Sequence, residues 1–114
     1  MEEKELNVIT HYGVMPQLKY FQSEVFELNE AIIKHENKNP IILATDSLNK
    51  IFCELNNKKY KVSSIEHITE EIADVQFMLN QFKRYYGIKD EDVNAVMLKK
   101  ADRQLWRIEN ENNN

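Results

Sequence analysis

Glycine, proline and cysteine are scarce in this chain. Its 114 residues include 2 Gly, 2 Pro and 1 Cys. Few positions therefore interrupt a helix, and the single Cys53 excludes an internal disulfide. The chain is rich in Glu, Lys, Leu and Ile, and most of these side chains lose little freedom in a helix. We therefore expect an all-α protein.

An excess of positive charge is also missing, as are long apolar runs. The net charge is -4 and the isoelectric point is about 5.4, which argues against nucleic acid as a partner because phosphate contacts need a clustered basic face. No apolar stretch near the start has the length of a signal peptide or a membrane span. We expect no membrane partner and a cytoplasmic location.

Apolar periodicity and helix stop signals predict three long helices and one or two short ones. A short opening helix is expected at residues 3–12. The long helices are expected at 15–35, from a cap at Ser63 or Ser64, of which Ser63 is the better, to about Gly87, and from about Val93 to Ile108. The connector at residues 36–62 contains a short helix around Leu48 to Leu55. The length suits one domain over residues 1–109, and the polar residues 110–114 are expected to form a disordered tail.

The two strongest helices each carry a continuous apolar stripe. The first stripe consists of Leu18, Phe21, Val25, Leu28 and Ile32, and the second of Ile65, Ile68, Ile72, Val75, Leu79 and Phe82. Packing these stripes together predicts a helical bundle. Three long stripes are few for a four-helix core, so we expect a second copy of the chain to complete it.

Pairs of carboxylates accompany both stripes. Glu24 and Glu27 are three residues apart, and so are Glu71 and Asp74, which places each pair on one flank of its helix. If the stripes pack together, four carboxylates meet, and such a cluster needs a cation. Oxygen ligands without histidine favour Mg²⁺ or Mn²⁺ over zinc. The alternative is that each pair lies on an ordinary solvated helix face.

Two segments resemble the signature helices of the MazG-like all-α nucleoside triphosphate pyrophosphohydrolases. They are Ser23-Glu24-Val25-Phe26-Glu27-Leu28 and Glu70-Glu71-Ile72-Ala73-Asp74-Val75. The family pattern is Glu-Glu-x-x-Glu followed on a later helix by Glu-x-x-Asp. The similarity spans roughly His11 to Ile108 apart from the connector, and small phage and Firmicute members look most similar.

This resemblance implies a fold, a reaction and a site. Glu24, Glu27, Glu71 and Asp74 are expected to bind Mg²⁺ and to be the catalytic residues. The substrate is expected to be a nucleoside triphosphate, cleaved to the monophosphate and pyrophosphate by water that the metal activates. Members of the family assemble from several subunits, so we expect a homodimer or homotetramer.

The last helix carries candidate phosphate ligands. Lys100 and Arg103 resemble basic residues that the family often has at this point, and their charge suits an anionic substrate. The alternative is a solvated charged helix face. His11, His35 and His67 are scattered and are expected at the surface or at helix caps, and no residue is predicted to bind the base.

Two other functions stay open at this stage. Ser23 replaces the leading glutamate of the first signature, and Phe26 stands where many relatives have a small residue. These departures favour a non-catalytic helical dimer or regulatory module that keeps the fold. The other alternative is a phosphoribosyl-ATP pyrophosphohydrolase, which shares the chemistry and the fold class.

Overall fold

A computed structural model describes residues 1–37, 48, 50–56 and 65–112 of the chain. Its main elements are α1 (Glu2–Tyr12), α2 (Val14–Glu36), α3 (Ile65–Tyr85) and α4 (Asp90–Asn112). Residues 50–55 form a short helical segment, and the described residues contain no strand. The expected all-α class is confirmed.

The two glycines end helices, as their sequence positions predicted. Gly13 has φ 90° and Gly87 has φ 67°, which is backbone geometry that other residues rarely adopt. After α3, the Ile88 N–H donates to the Lys83 carbonyl at 2.8 Å and the Gly87 N–H donates to the Arg84 carbonyl at 3.2 Å. This pair of bonds is a Schellman motif, which satisfies carbonyls at the helix end.

The last helix is longer than the apolar pattern indicated. We expected a disordered tail at 110–114, but α4 continues to Asn112. The Asn110 side-chain amide donates to the Trp106 carbonyl at 2.8 Å, one turn back. The predicted cap at Ser63 or Ser64, and most of the connector at 36–62, lie outside the described residues.

Helices α2 and α3 form the central pair. They are antiparallel, since Gln17 near the start of α2 contacts Gln81 near the end of α3, and the Phe21 and Phe82 rings meet edge to face at 5.7 Å. Helix α1 also packs on α3, whereas α4 has no comparable packing on any of these helices. The radius of gyration is 19.0 Å, against about 13 Å for a compact domain of this length. The chain alone is therefore an open arrangement.

The interior that the three helices share is unusually polar. Among the described residues, the buried apolar side chains are Ile9, Ala31 and Met78. The buried polar ones are Glu5, Gln17, Glu24, Glu71 and Gln81. Buried polar groups are costly unless they are paired or bind a ligand, so this interior is not explained by hydrophobic packing alone.

The face that α2 buries is displaced by one residue from the predicted stripe. Gln17, Glu24 and Ala31 are buried, and the residue after each of them is exposed. Those residues are Leu18 (37% exposed), Val25 (42%) and Ile32 (40%). Helix α3 shows the same displacement, because Glu71 and Met78 are buried while Ile72 and Leu79 are not. The described part of the chain therefore leaves three of the five residues in the first stripe and three of the six in the second exposed.

An ion-pair cluster joins α3 to α4. The Arg84 guanidinium donates to both Asp90 carboxylate oxygens, at 2.7 and 2.9 Å, and the Lys83 Nζ lies 2.8 Å from the same carboxylate. Arg84 also lies 3.5 Å from the buried Glu5 of α1. Because α4 lacks other extensive packing, these pairs and the Gly87 turn set its direction.

The cluster makes one contribution to stability that depends on pH. Hydrogen bonds from Lys83 and then from Arg84 hold the pKa of Asp90 below its ordinary value of 3.8. A lowered folded-state pKa stabilises the fold above the unfolded-state value and loses that effect as pH falls through the folded-state value. Asp90→Asn should therefore reduce the free energy of unfolding slightly at neutral pH. Urea titrations at a series of pH values from 7 downward measure this free energy. The difference between the variant and wild type should vanish once the pH is below both the folded-state and the unfolded-state pKa of Asp90. A difference that persists at the acid end would contradict this role for the charge.

Candidate metal centre

Three of the four predicted carboxylates meet between α2 and α3. One oxygen each from Glu24, Glu71 and Asp74 lies within 4.8 Å of the others. The i, i+3 spacing turns Glu71 and Asp74 to the same flank of α3, and the antiparallel pairing brings Glu24 of α2 opposite them. The fourth residue, Glu27, is exposed and does not belong to this group.

Burial makes the cluster unfavourable without a counter-charge. Glu24 is 5% exposed and Glu71 is 3% exposed. The Oε2 atom of each is buried and has no hydrogen-bond partner. Two like charges at this separation repel by on the order of 3 kcal/mol near a protein surface. A bound cation or a proton is needed to offset that repulsion.

The pKa of Glu24 is shifted accordingly. Burial raises it, the charges of Glu27, Asp74 and Glu71 raise it further, and a hydrogen bond from Tyr20 opposes the shift. The pKa of Tyr20 is raised in turn, first because its hydroxyl donates to Glu24 and then because of the negative charge nearby. The local field therefore favours positive charge at the cluster.

Each buried glutamate has a partner one turn earlier on its own helix. Tyr20 hydrogen-bonds Glu24, and His67 Nε2 lies 3.2 Å from Glu71 Oε1. Such partners orient ligating carboxylates and leave the other oxygen for a metal. We expected His67 at the surface or at a cap, whereas it is half-buried beside the cluster. The shared i, i+4 spacing of the two pairs was the signal that the sequence contained.

The donor set fits a hard divalent cation. Mg²⁺ binds oxygen ligands at about 2.1 Å, so two oxygens on one ion lie at most about 4.2 Å apart. Adjacent oxygens of an octahedron are only about 3 Å apart, so oxygens that lie within 4.8 Å of one another must approach by up to roughly 2 Å, which side-chain rotation allows. Water would complete the octahedron, because three carboxylates supply only part of it.

Two cavities flank the cluster. The amide cavity, named here for the Gln17–Gln81 pair in its wall, has a volume of about 560 Å³ and includes Glu24 and Asp74. The second cavity, of about 670 Å³, includes Glu71, Glu27 and His67. Glu27 thus lines the same cavity as Glu71 and lies at the edge of the cluster. There it can contact a ligand or a bound water.

Lys100 and Arg103 are not brought to the cluster within this chain. Both are exposed on α4, and neither lines the two cavities beside the carboxylates. Lys100 instead borders a shallow cavity of about 400 Å³ with Ile88 and Val96. Their contact with phosphate stays a prediction that needs another subunit or a movement of α4.

Comparisons with family models, with curated proteins and with solved structures give no match. None of the described helices has a segment long and apolar enough to cross a membrane.

The cluster predicts a specific response to charge removal. Glu24→Gln should raise the melting temperature of the metal-free protein, because it removes one of three repelling charges from a buried position. The rise should be several degrees, since about 1 kcal/mol corresponds to roughly 4–8 °C in a domain of this size. Adding Mg²⁺ or Mn²⁺ should stabilise wild type and have little effect on the variant.

The matched control is Glu36→Gln, which removes an exposed charge at the end of the same helix. It should leave both the melting temperature and the response to metal as in wild type. Thermal scans with and without Mg²⁺ measure all three proteins. A metal response that survives in Glu24→Gln would show that the ion binds elsewhere.

Proposed function

We propose that this protein is a Mg²⁺-dependent hydrolase that cleaves a nucleoside triphosphate to the monophosphate and pyrophosphate. The observation that carries the proposal is the convergence of Glu24 and Glu71, which are buried and come from different helices, with Asp74. Two of their oxygens have no partner. Burial without a partner is costly for a carboxylate, which supports a positively charged ligand at this site.

The surroundings of the cluster support a triphosphate as the substrate. The amide cavity shares Glu24 and Asp74 with the cluster, so a ligand in that cavity ends beside a bound cation. Its volume of about 560 Å³ lies within the roughly 300–1,000 Å³ usual for small-molecule sites. The resemblance of the two signature segments to the MazG-like pyrophosphohydrolases supports the same reaction.

The residues of this chain would have distinct tasks in the reaction. A bound Mg²⁺ would offset phosphate charge and make water a better nucleophile. Glu24, Glu71 and Asp74 would hold the cation, while Tyr20 and His67 fix the orientation of the two glutamates. Glu27, at the edge of the cluster, is positioned to accept a proton from water through its exposed carboxylate.

The test is hydrolysis of a panel of canonical and modified nucleoside triphosphates with Mg²⁺, with separate assays for pyrophosphate and phosphate. We expect pyrophosphate and the monophosphate as products. Glu24→Gln, Glu27→Gln, Glu71→Gln and Asp74→Asn should each abolish turnover and keep the helical signal. Near-normal rates in any two of these variants would mean that the site is misplaced. If wild type cleaves none of the panel, the non-catalytic module becomes the better interpretation.

The same assay tests the phosphate contacts proposed for the last helix. Lys100→Ala and Arg103→Ala should each lower kcat/KM roughly tenfold to a hundredfold, because a charge-assisted bond contributes about 1.5–3 kcal/mol. Lys4→Ala, at an exposed position of α1, removes the same charge and should behave like wild type. Equal losses in Lys4→Ala and Lys100→Ala would reveal a general electrostatic effect.

We also propose that the protein is a homodimer or a homotetramer. When two antiparallel helices pack together, the residue after each buried position points to one side of the pair, and this side is the same for both helices. Exposed residues of both stripes therefore form one apolar flank, which includes Val25, Ile32, Ile72 and Leu79. Helix α1 covers the opposite side. A second copy would cover the flank and complete a bundle.

Light scattering should accordingly show no monomer at working concentrations. Ile72→Lys places a charge in the centre of the apolar flank and should shift the protein toward monomer while its helical signal is kept. Ala73→Lys introduces the same charge at the next, exposed position of α3, which is about 100° further around the helix from Ile72, and it should leave assembly unchanged. A wild-type monomer across a dilution series would contradict the proposal.

A further inference from the structure

The amide cavity has a polar pair in a mainly apolar wall. Tyr12, Tyr20 and Phe77 contribute aromatic surface. Gln17 of α2 and Gln81 of α3 meet at the interface between these helices, where Gln17 Nε2 donates to Gln81 Oε1 at 2.7 Å. Gln17 is 8% exposed and Gln81 is 0% exposed. Two buried amides at a helix interface stabilise less than apolar packing would, which points to a role beyond the fold.

The hydrogen bond fixes how Gln17 presents its amide. Its nitrogen is engaged by Gln81, and its distance of 4.0 Å from Met78 Sδ adds only a weak contact. The Gln81 nitrogen is directed at the same sulfur, at 3.5 Å. Within the described part of the chain, no donor is bonded to the Gln17 side-chain oxygen. That oxygen is an acceptor available to a ligand.

The opposite end of the cavity is acidic. Glu24 and Asp74 line it and belong to the carboxylate cluster, and the Tyr20 hydroxyl is bonded to Glu24. A ligand that fits this arrangement has a planar ring for the aromatic wall and a hydrogen-bond donor for Gln17. It also has an anionic group that reaches a cation at the cluster. A nucleotide has all three features, and its base carries N–H groups on one edge.

We infer that the amide cavity binds the base of the substrate and that Gln17 recognises the base edge by accepting a hydrogen bond from it. This inference rests on the proposed function and assigns a substrate-binding part to the same site. Gln81 is a positioning residue, because it holds the Gln17 amide in the orientation that leaves the oxygen available. The aromatic side chains contribute stacking or edge contacts to any base.

Inorganic tripolyphosphate separates the base from the phosphates. It carries the same phosphate chain without a base, so it tests the cation site alone. Gln17→Met keeps the side-chain length and removes both polar atoms. With the preferred nucleoside triphosphate and Mg²⁺, this variant should lose roughly tenfold in kcat/KM. Its rate with tripolyphosphate, and its stabilisation by Mg²⁺, should match wild type.

Matched variants test the two roles. Gln76→Met makes the same change at an exposed position of α3 and should alter neither substrate's rate. Gln81→Met should lower the rate with nucleotide relative to the rate with tripolyphosphate, because the hydrogen bond that orients the Gln17 amide is lost. Adding Gln17→Met to Gln81→Met should then cost little more, since residues that act together are not additive. Independent, additive losses would contradict the positioning role.

Two results would overturn the inference. One is an equal loss for tripolyphosphate and nucleotide in Gln17→Met, which would indicate a general effect on the fold. The other is an unchanged rate with nucleotide. If wild type hydrolyses neither compound, the proposed function fails. Calorimetry with adenosine, guanosine, cytidine and uridine then tests separately whether the amide cavity binds a base. Binding of a nucleoside that Gln17→Met weakens would uphold the inference, and absence of binding by all four would refute it.

Discussion

Two glutamates are buried where α2 and α3 cross, and the rest of the site depends on how their charge is balanced. Glu24 and Glu71 lie together with Asp74, and an oxygen of each buried glutamate has no partner. Within one chain, the helix interface is therefore stabilised incompletely. Its apolar contacts, such as the edge-to-face pair of Phe21 and Phe82, act against the repulsion of the carboxylates. A divalent cation would convert that repulsion into a bridge between the two helices, so ligand binding and helix pairing would be coupled.

The same constraint accounts for polar side chains in the interior. Next to the cluster, Tyr20 and His67 orient the glutamates, and the Gln17–Gln81 pair continues the polar surface along the amide cavity. A site that binds a charged nucleotide needs such groups fixed before the ligand arrives, because ordering them during binding lowers affinity. Under the proposed function, the polar interior would serve the site at a cost to the stability of the single chain.

The uncovered apolar flank offsets that cost if a second copy covers it. Among the described residues only three apolar side chains are buried, which is a small core for a chain of this length. The flank of Val25, Ile32, Ile72 and Leu79 lies opposite α1, so assembly would not block the amide cavity. The ion pairs of Arg84 with Asp90 and Glu5 connect α1 to α4, and they set the direction in which the basic residues of α4 are presented.

The sequence alone determined the helices, their glycine stops and the pairing of carboxylates at i, i+3, because these follow from local backbone preferences and from the helical period. It also contained the i, i+4 spacing of Tyr20 with Glu24 and of His67 with Glu71. Tertiary structure decided which side of each stripe is buried, since a stripe about 100° wide packs equally well on either flank until its neighbours are placed. That choice brought three carboxylates together, left Glu27 at the edge, and separated α4 from the cluster. These features depend on contacts between residues far apart in sequence, and no local sequence pattern encodes such contacts.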